Sequence, residues 1–183
     1  MTKRALLAGI VGAVGMYIWI FVAHMLLPLG EAGIQQISNE QALLTQMNST
    51  ITAPGLYMFP NLAPGGDQAE YQRKIESGPS GLMMYFPKRS FNFGKSLAIE
   101  FITELVQILL TTYLLTLTGI VALGGRVAFF AVAGLLAAIT TNVSYWNWYG
   151  FPLSYSASYM FTIWFGFVCA GIVVALVLGK KSA

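Results

Sequence analysis

Charge is what this chain has least of. Its 183 residues include 10 Lys and Arg, 7 Asp and Glu, and one His. A soluble domain usually carries about a quarter charged residues, and 9% is too little to solvate a globule of its own. Cysteine is nearly missing as well. Cys169 alone excludes an internal disulfide and a thiolate-rich metal site. The hydrophobic excess, set against so few charges, excludes a nucleic-acid binder built on a basic surface. No phosphate loop, dinucleotide fingerprint or nucleophile elbow occurs in the sequence. What the chain does have is apolar surface: 56% of its residues are hydrophobic, and its mean hydropathy is +0.67. Disordered chains and ordinary cytosolic enzymes do not have this balance. It belongs to an integral membrane protein whose main partner is the lipid bilayer.

A hydrocarbon core is crossed by roughly 17–25 helical residues. Four stretches qualify: Ala5 to Leu27, Leu97 to Leu123, Val127 to Val143, and Ala157 to Gly179. The expected fold is an all-α membrane protein of four transmembrane helices, with a small α/β cap between the first two. Residues 1–27 form the first helix and 28–95 the cap. Residues 96–183 hold the other three helices, which share one membrane domain with the first. Gly124 and Gly125 are expected to end the second helix and turn it into the third as an antiparallel hairpin. The first span follows Lys3 and Arg4 as a signal peptide would. Its apolar run exceeds a signal's 7–15 residues, however, and no clear cleavage site follows, so it reads as a retained anchor.

Orientation follows from the bases. Lys3, Arg4, Arg126, Lys180 and Lys181 fall on one side with no acid among them. Arg73, Lys74, Lys88, Arg89 and Lys95 fall on the other side and are balanced by Glu31, Glu40, Asp67, Glu70 and Glu76. The unbalanced side reads as cytoplasmic by the positive-inside rule. Both termini then lie inside, and the cap is extracytoplasmic.

Within residues 28–95, Ser38 and Gln41 read as a capping box opening a short helix, with Leu43, Leu44 and Met47 on its apolar side. Asp67–Ser77 is polar and helical. Two similar phrases, Gly-Leu-Tyr-Met-Phe-Pro at 55–60 and Gly-Leu-Met-Met-Tyr-Phe-Pro at 81–87, bracket that helix and are expected to pair as a two-stranded sheet. Such a pair is marginal alone in water, so it should lie against helices or a partner. The run Ser144–Pro152, dense in Trp and Tyr, reads as an outer loop at the interfacial aromatic belt.

The most informative pattern lies on the second span. Glu100, Glu104, Gln107, Thr111 and Thr118 recur at i, i+4, i+7, i+11 and i+18. At 100° per residue they share about 60° of arc, so they form one line on one helix face. An ionisable group at a helix centre costs about 2.5–3.5 kcal/mol on insertion scales and faces a bundle interior or a wet cavity. His24 near the outer end of the first helix, Thr140, Thr141 and Asn142 on the third, and Tyr155, Ser158, Tyr159 and Thr162 on the fourth fall at the same outer level. The inner half is nearly all aliphatic.

Three readings follow. In the structural one, the carboxylates are neutral or paired with His24, and hydroxyls fasten the helices together. In the second, Glu100, Glu104 and His24 are metal ligands or an acid/base pair, since carboxylates at i, i+4 project to one side. Gln107, Thr111, Asn142 and Tyr159 then complete the polar cluster. In the third, the line is a proton or ligand path, although the inner half offers it no polar continuation. No cofactor is assigned. A bis-histidine haem needs two imidazoles, and His24 is the lone candidate ligand for a haem iron or a chlorophyll-type magnesium completed by a neighbouring subunit. Gly9, Gly12 and Gly15 permit close helix contact in the bundle or with a partner.

The phrases Trp19…His24-Met25-Leu26-Leu27-Pro28-Leu29-Gly30-Glu31, Pro79-Ser80-Gly81 and Asn142-Val143-Ser144-Tyr145-Trp146-Asn147-Trp148-Tyr149-Gly150-Phe151-Pro152 resemble a group of uncharacterised bacterial inner-membrane proteins. The resemblance implies a four-span bacterial protein with an outward segment, and no activity. Together these readings favour a non-catalytic accessory subunit of a larger membrane complex, with a protein partner or a homo-oligomer. The alternative is a membrane enzyme or a metal- or ligand-binding protein using the outer Glu/Glu/His cluster.

Overall fold

In the computed structural model, residues 1–179 are described, and Lys180 and Lys181 of the orientation argument lie outside them. The chain is predominantly helical. Four of its helices are long and apolar enough to cross a membrane, as expected of a multi-pass membrane protein. It divides into two units, residues 1–34 with 92–179, and residues 35–91.

The first unit holds α1 (Lys3–Phe21), α4 (Phe93–Thr116), α5 (Leu123–Tyr149) and α6 (Leu153–Leu178). Thr2 caps α1 by accepting from the Ala5 amide. A π-turn over Val22–Leu26 then extends it, with the Leu27 amide donating five residues back to Val22. α4 begins a turn earlier than its apolar run implies, because the Asn92 side chain accepts from the Lys95 amide. The connection to α5 is Leu117–Ala122, reversed at Gly119, whose φ of +68° suits only glycine well. Gly124 and Gly125 therefore do not end a helix; both lie in the first turn of α5. The third span is not short either. α5 runs through Ser144–Tyr149 and stops at Gly150, in left-handed conformation, just before Phe151-Pro152. The expected aromatic loop is thus helix, since Trp and Tyr do not break one.

The helices pack in the order α4–α1–α6–α5. α1 and α6 are central, while α4 and α5 form the edges and scarcely meet, so the expected hairpin packing of the second and third spans does not occur. Small residues set this order. A Cβ on Gly9 would strike Leu109 and Thr112 of α4, and one on Gly15 would meet Val173 of α6. Gly12 lies between both neighbours, with Val174 and Ala170 on one side and Ile108 on the other. On the far side of α6, Gly171 receives Phe130, and Gly134 of α5 receives Phe167. Close backbone approach of this kind replaces the hydrophobic driving force that lipid removes. Met16, Ile108, Leu115, Phe130, Phe167 and Val174 fill the core between them.

At one end of this unit two arginines bind the last turn of α6. Arg4 Nε donates to the Val177 carbonyl at 3.0 Å. The buried Arg126 donates to the Gly179 carbonyl at 2.8 Å and to Ile120 in the α4–α5 connection at 3.2 Å. Helix C-termini leave carbonyls unpaired and carry partial negative charge, so guanidinium groups satisfy both demands there.

The second unit contains α2 (Glu40–Thr50), β1 (Gly55–Phe59), α3 (Gln68–Ser77) and β2 (Gly81–Tyr85). The two similar phrases do pair, antiparallel, with Leu56 opposite Met84 and Met58 opposite Leu82. α2 opens one residue later than the Ser38 capping box implies, because Asn39 provides the cap. Asp67 caps α3, and a Lys74–Glu70 ion pair at 2.6 Å lies along it. Tyr85 is buried. Its ring meets Tyr57 edge-on, and its hydroxyl donates to Asn48 of α2.

Candidate functional site

The polar line of α4 is real as far as Thr111, and its members differ sharply in surroundings. Glu100 is exposed and Gln107 half-buried. Glu104 is 2% exposed, and neither of its carboxyl oxygens has a hydrogen-bond partner. Thr118 leaves the line, because α4 ends at Thr116. Its hydroxyl, in the connection, instead donates to the Leu115 carbonyl in the last turn of α4. The earlier start of α4 also moves the site inward. Glu104 follows the first residue of a 24-residue helix by eleven positions, about 16 Å along the axis, so it sits at the helix midpoint rather than in its outer part.

The buried threonines of α4 and α6 and Asn142 are satisfied within their own helices. Thr111 donates to Gln107, Thr112 to Ile108 and Thr162 to Ser158, each to a backbone carbonyl one turn back. Asn142 is buried and donates to the Ala138 carbonyl at 2.8 Å. These groups do not fasten helix to helix as expected. Besides the Arg4 and Arg126 bonds, polar ties within the first unit run from Trp19 Nε1 to the Thr162 carbonyl at 2.8 Å and from Ser158 Oγ to the Leu29 carbonyl at 2.9 Å. Thr140, Thr141 and Asn142 do not end α5, which continues to Tyr149.

His24 lies in the π-turn, exposed, with its ring against Gly30. Among the described residues no group of three or more His, Cys, Asp or Glu is placed to hold a metal ion. Glu100, Glu104 and His24 therefore do not form the three-ligand set the sequence allowed. The reason is geometric: the π-turn seats the imidazole on the segment following α1.

A row of aromatic rings instead runs from the end of α5 along the first turns of α6. Tyr145 stacks on Phe151 at 5.3 Å, Phe151 meets Tyr155 at 5.5 Å, and Tyr155 stacks on Tyr159 at 5.8 Å. On α1, Tyr17 packs edge-on against Phe101 of α4.

Sequence reasoning missed two residues. Thr112 is fully buried against Gly9, and Arg126 is a buried structural donor as well as a topological charge. Arg126 was findable, since a lone base beside a helix turn is placed to bind carbonyls. The chain matches no protein-family model, no curated protein and no solved structure.

Proposed function

We propose that this protein is a non-catalytic accessory subunit of a larger membrane complex, and that α4 is the helix its partner meets. The observation that supports this reading is the Glu104 carboxyl. It is buried at the midpoint of an edge helix, and both its oxygens lack a donor. Intramembrane ionisable residues are expensive and are retained for a role. The buried threonines, Asn142 and Arg126 are hydrogen-bonded within the chain, and in this reading the donor for the covered Glu104 carboxyl comes from a partner that displaces side chains packed over it. The bases of the spanning unit do not meet the need. Among the described residues, Arg4 and Arg126 are engaged with the α6 carbonyls, Lys3 opens α1, the exposed His24 lies against Gly30, and Lys95 lies in the first turn of α4, nine residues before Glu104.

The membrane is a bacterial inner membrane in this reading, with both termini cytoplasmic and residues 28–95 an extracytoplasmic cap. The unopposed bases Lys3, Arg4 and Arg126 support that orientation. The test is native mass spectrometry of the full-length protein extracted gently from its own membrane. A stoichiometric added protein mass that is lost in Glu104→Met supports the reading, and a partner-free monomer overturns it.

A second reading makes this a ligand-binding protein. It rests on the stacked Tyr155 and Tyr159 of α6, rings suited to a small organic cation. A bound small-molecule mass in the same spectrum would favour it.

A further inference from the structure

The sheet of the second unit has two unequal faces. Its inner face carries Tyr57 and Tyr85, with Tyr85 buried and tied to α2 through Asn48. The pairing of Leu56 with Met84 and of Met58 with Leu82 puts those four side chains together on the opposite face. Leu56 is 64% exposed and Met84 74%; Met58 is exposed as well. An uncovered two-stranded sheet with one apolar face is marginal in water, so this face needs something to lie on.

We propose that the Leu56/Met58/Leu82/Met84 face rests on the surface of the lipid bilayer. Two features select lipid as the occupant. First, the unit is tethered to the membrane by its own chain. Residues 86–92 link β2 to spanning-length α4, and seven residues reach at most about 25 Å. The bilayer is therefore always present at high effective concentration. Second, the charge around this connector suits headgroups. Lys88, Arg89 and Lys95 lie in it or just beyond, and no acid occurs between Glu76 and Glu100. The exposed Phe86 beside the face carries the Arg89 guanidinium over its ring at 5.1 Å. Apolar side chains flanked by bases suit the boundary of an anionic bilayer.

The test uses the full chain with Cys169→Ala, reconstituted in nanodiscs of phosphatidylcholine and phosphatidylglycerol. A nitroxide is attached at Met84→Cys, at Leu56→Cys, or at Ala69→Cys on the polar helix α3. Collisions are then measured with oxygen, which concentrates in lipid, and with a water-soluble nickel chelate. The proposal expects the labels at 84 and 56 to favour oxygen over nickel several-fold more than the label at 69. Nickel access at 84 and 56 equal to that at 69 overturns it. So does shielding of both labels from both reagents, which would mark a protein surface as the occupant. The label at 69 also reports folding, because its mobility must match an ordered helix for the comparison to count.

Discussion

Replacing Glu104 with methionine should stabilise the purified chain. The side chains are similar in length and volume, so the substitution keeps the packing beside Ile108 and removes only the carboxyl oxygens. Both oxygens are buried without a partner. Even counted as uncharged, a buried polar group with no hydrogen bond costs about 1–3 kcal/mol by protein mutational data. Its replacement by an apolar group of the same shape returns that cost. Glu104→Met should therefore raise stability by about 1–3 kcal/mol, read by reversible unfolding of the purified protein in mixed micelles with increasing denaturing detergent. Glu100→Met, at an exposed position on the same helix, should move the midpoint by less than about 0.5 kcal/mol. A loss of stability of about 1 kcal/mol or more in Glu104→Met would refute the reasoning, because it would mean that the carboxyl has a stabilising partner within the chain.

Three further outcomes follow from the same geometry. Arg126→Met removes two charge-assisted bonds from a buried guanidinium and should cost about 2–4 kcal/mol, against about 1 kcal/mol or less for Arg4→Met, whose bond is exposed; unfolding midpoints of the two variants check the ranking. Gly12→Val should be worse than Gly12→Ala. The first Cβ alone would sit 2.6 Å from Val174 Cγ2 and 3.3 Å from the Ala170 carbonyl, and overpacking costs about 1–3 kcal/mol; loss of the folded fraction after purification measures it. In the second unit, the side-chain hydrogen bond and charge of Lys74 hold the Glu70 carboxyl below its ordinary range. The pair's small contribution is present above the ordinary carboxylate pKa and is lost as pH falls through the lowered one. An NMR titration should place the Glu70 midpoint below the ordinary carboxylate range, and Lys74→Met or added salt should bring it back up.

The four spans were legible because a continuous apolar run of helical length has few other meanings. The sheet was legible because the phrases at 55–60 and 81–87 repeat one alternating pattern. The ends of the spans were not, since apolarity stops where the membrane stops and helices do not. Asn92 starts α4 before its apolar run, and α5 continues through Ser144–Tyr149 until Gly150. Helix order was also hidden. Nothing local in the second and third spans shows that α1 and α6 separate them, although Gly9, Gly12 and Gly15 marked α1 as a close-packing helix. In the site, spacing alone placed Glu100 and Glu104 on one line. It could not show that one is exposed and the other buried, because that depends on how α1 and its neighbours cover α4. His24 was grouped with them by depth, and the π-turn that seats it against Gly30 has no signature in the residues.

The central claim is that the donor missing from Glu104 belongs to another protein. It is tested most directly by native mass spectrometry of the full-length chain and of Glu104→Met, each released gently from its own membrane. The account predicts a stoichiometric protein partner on the unaltered chain and none on the more stable Glu104→Met. A partner retained equally by both, or a partner-free monomer in the unaltered protein, would contradict it.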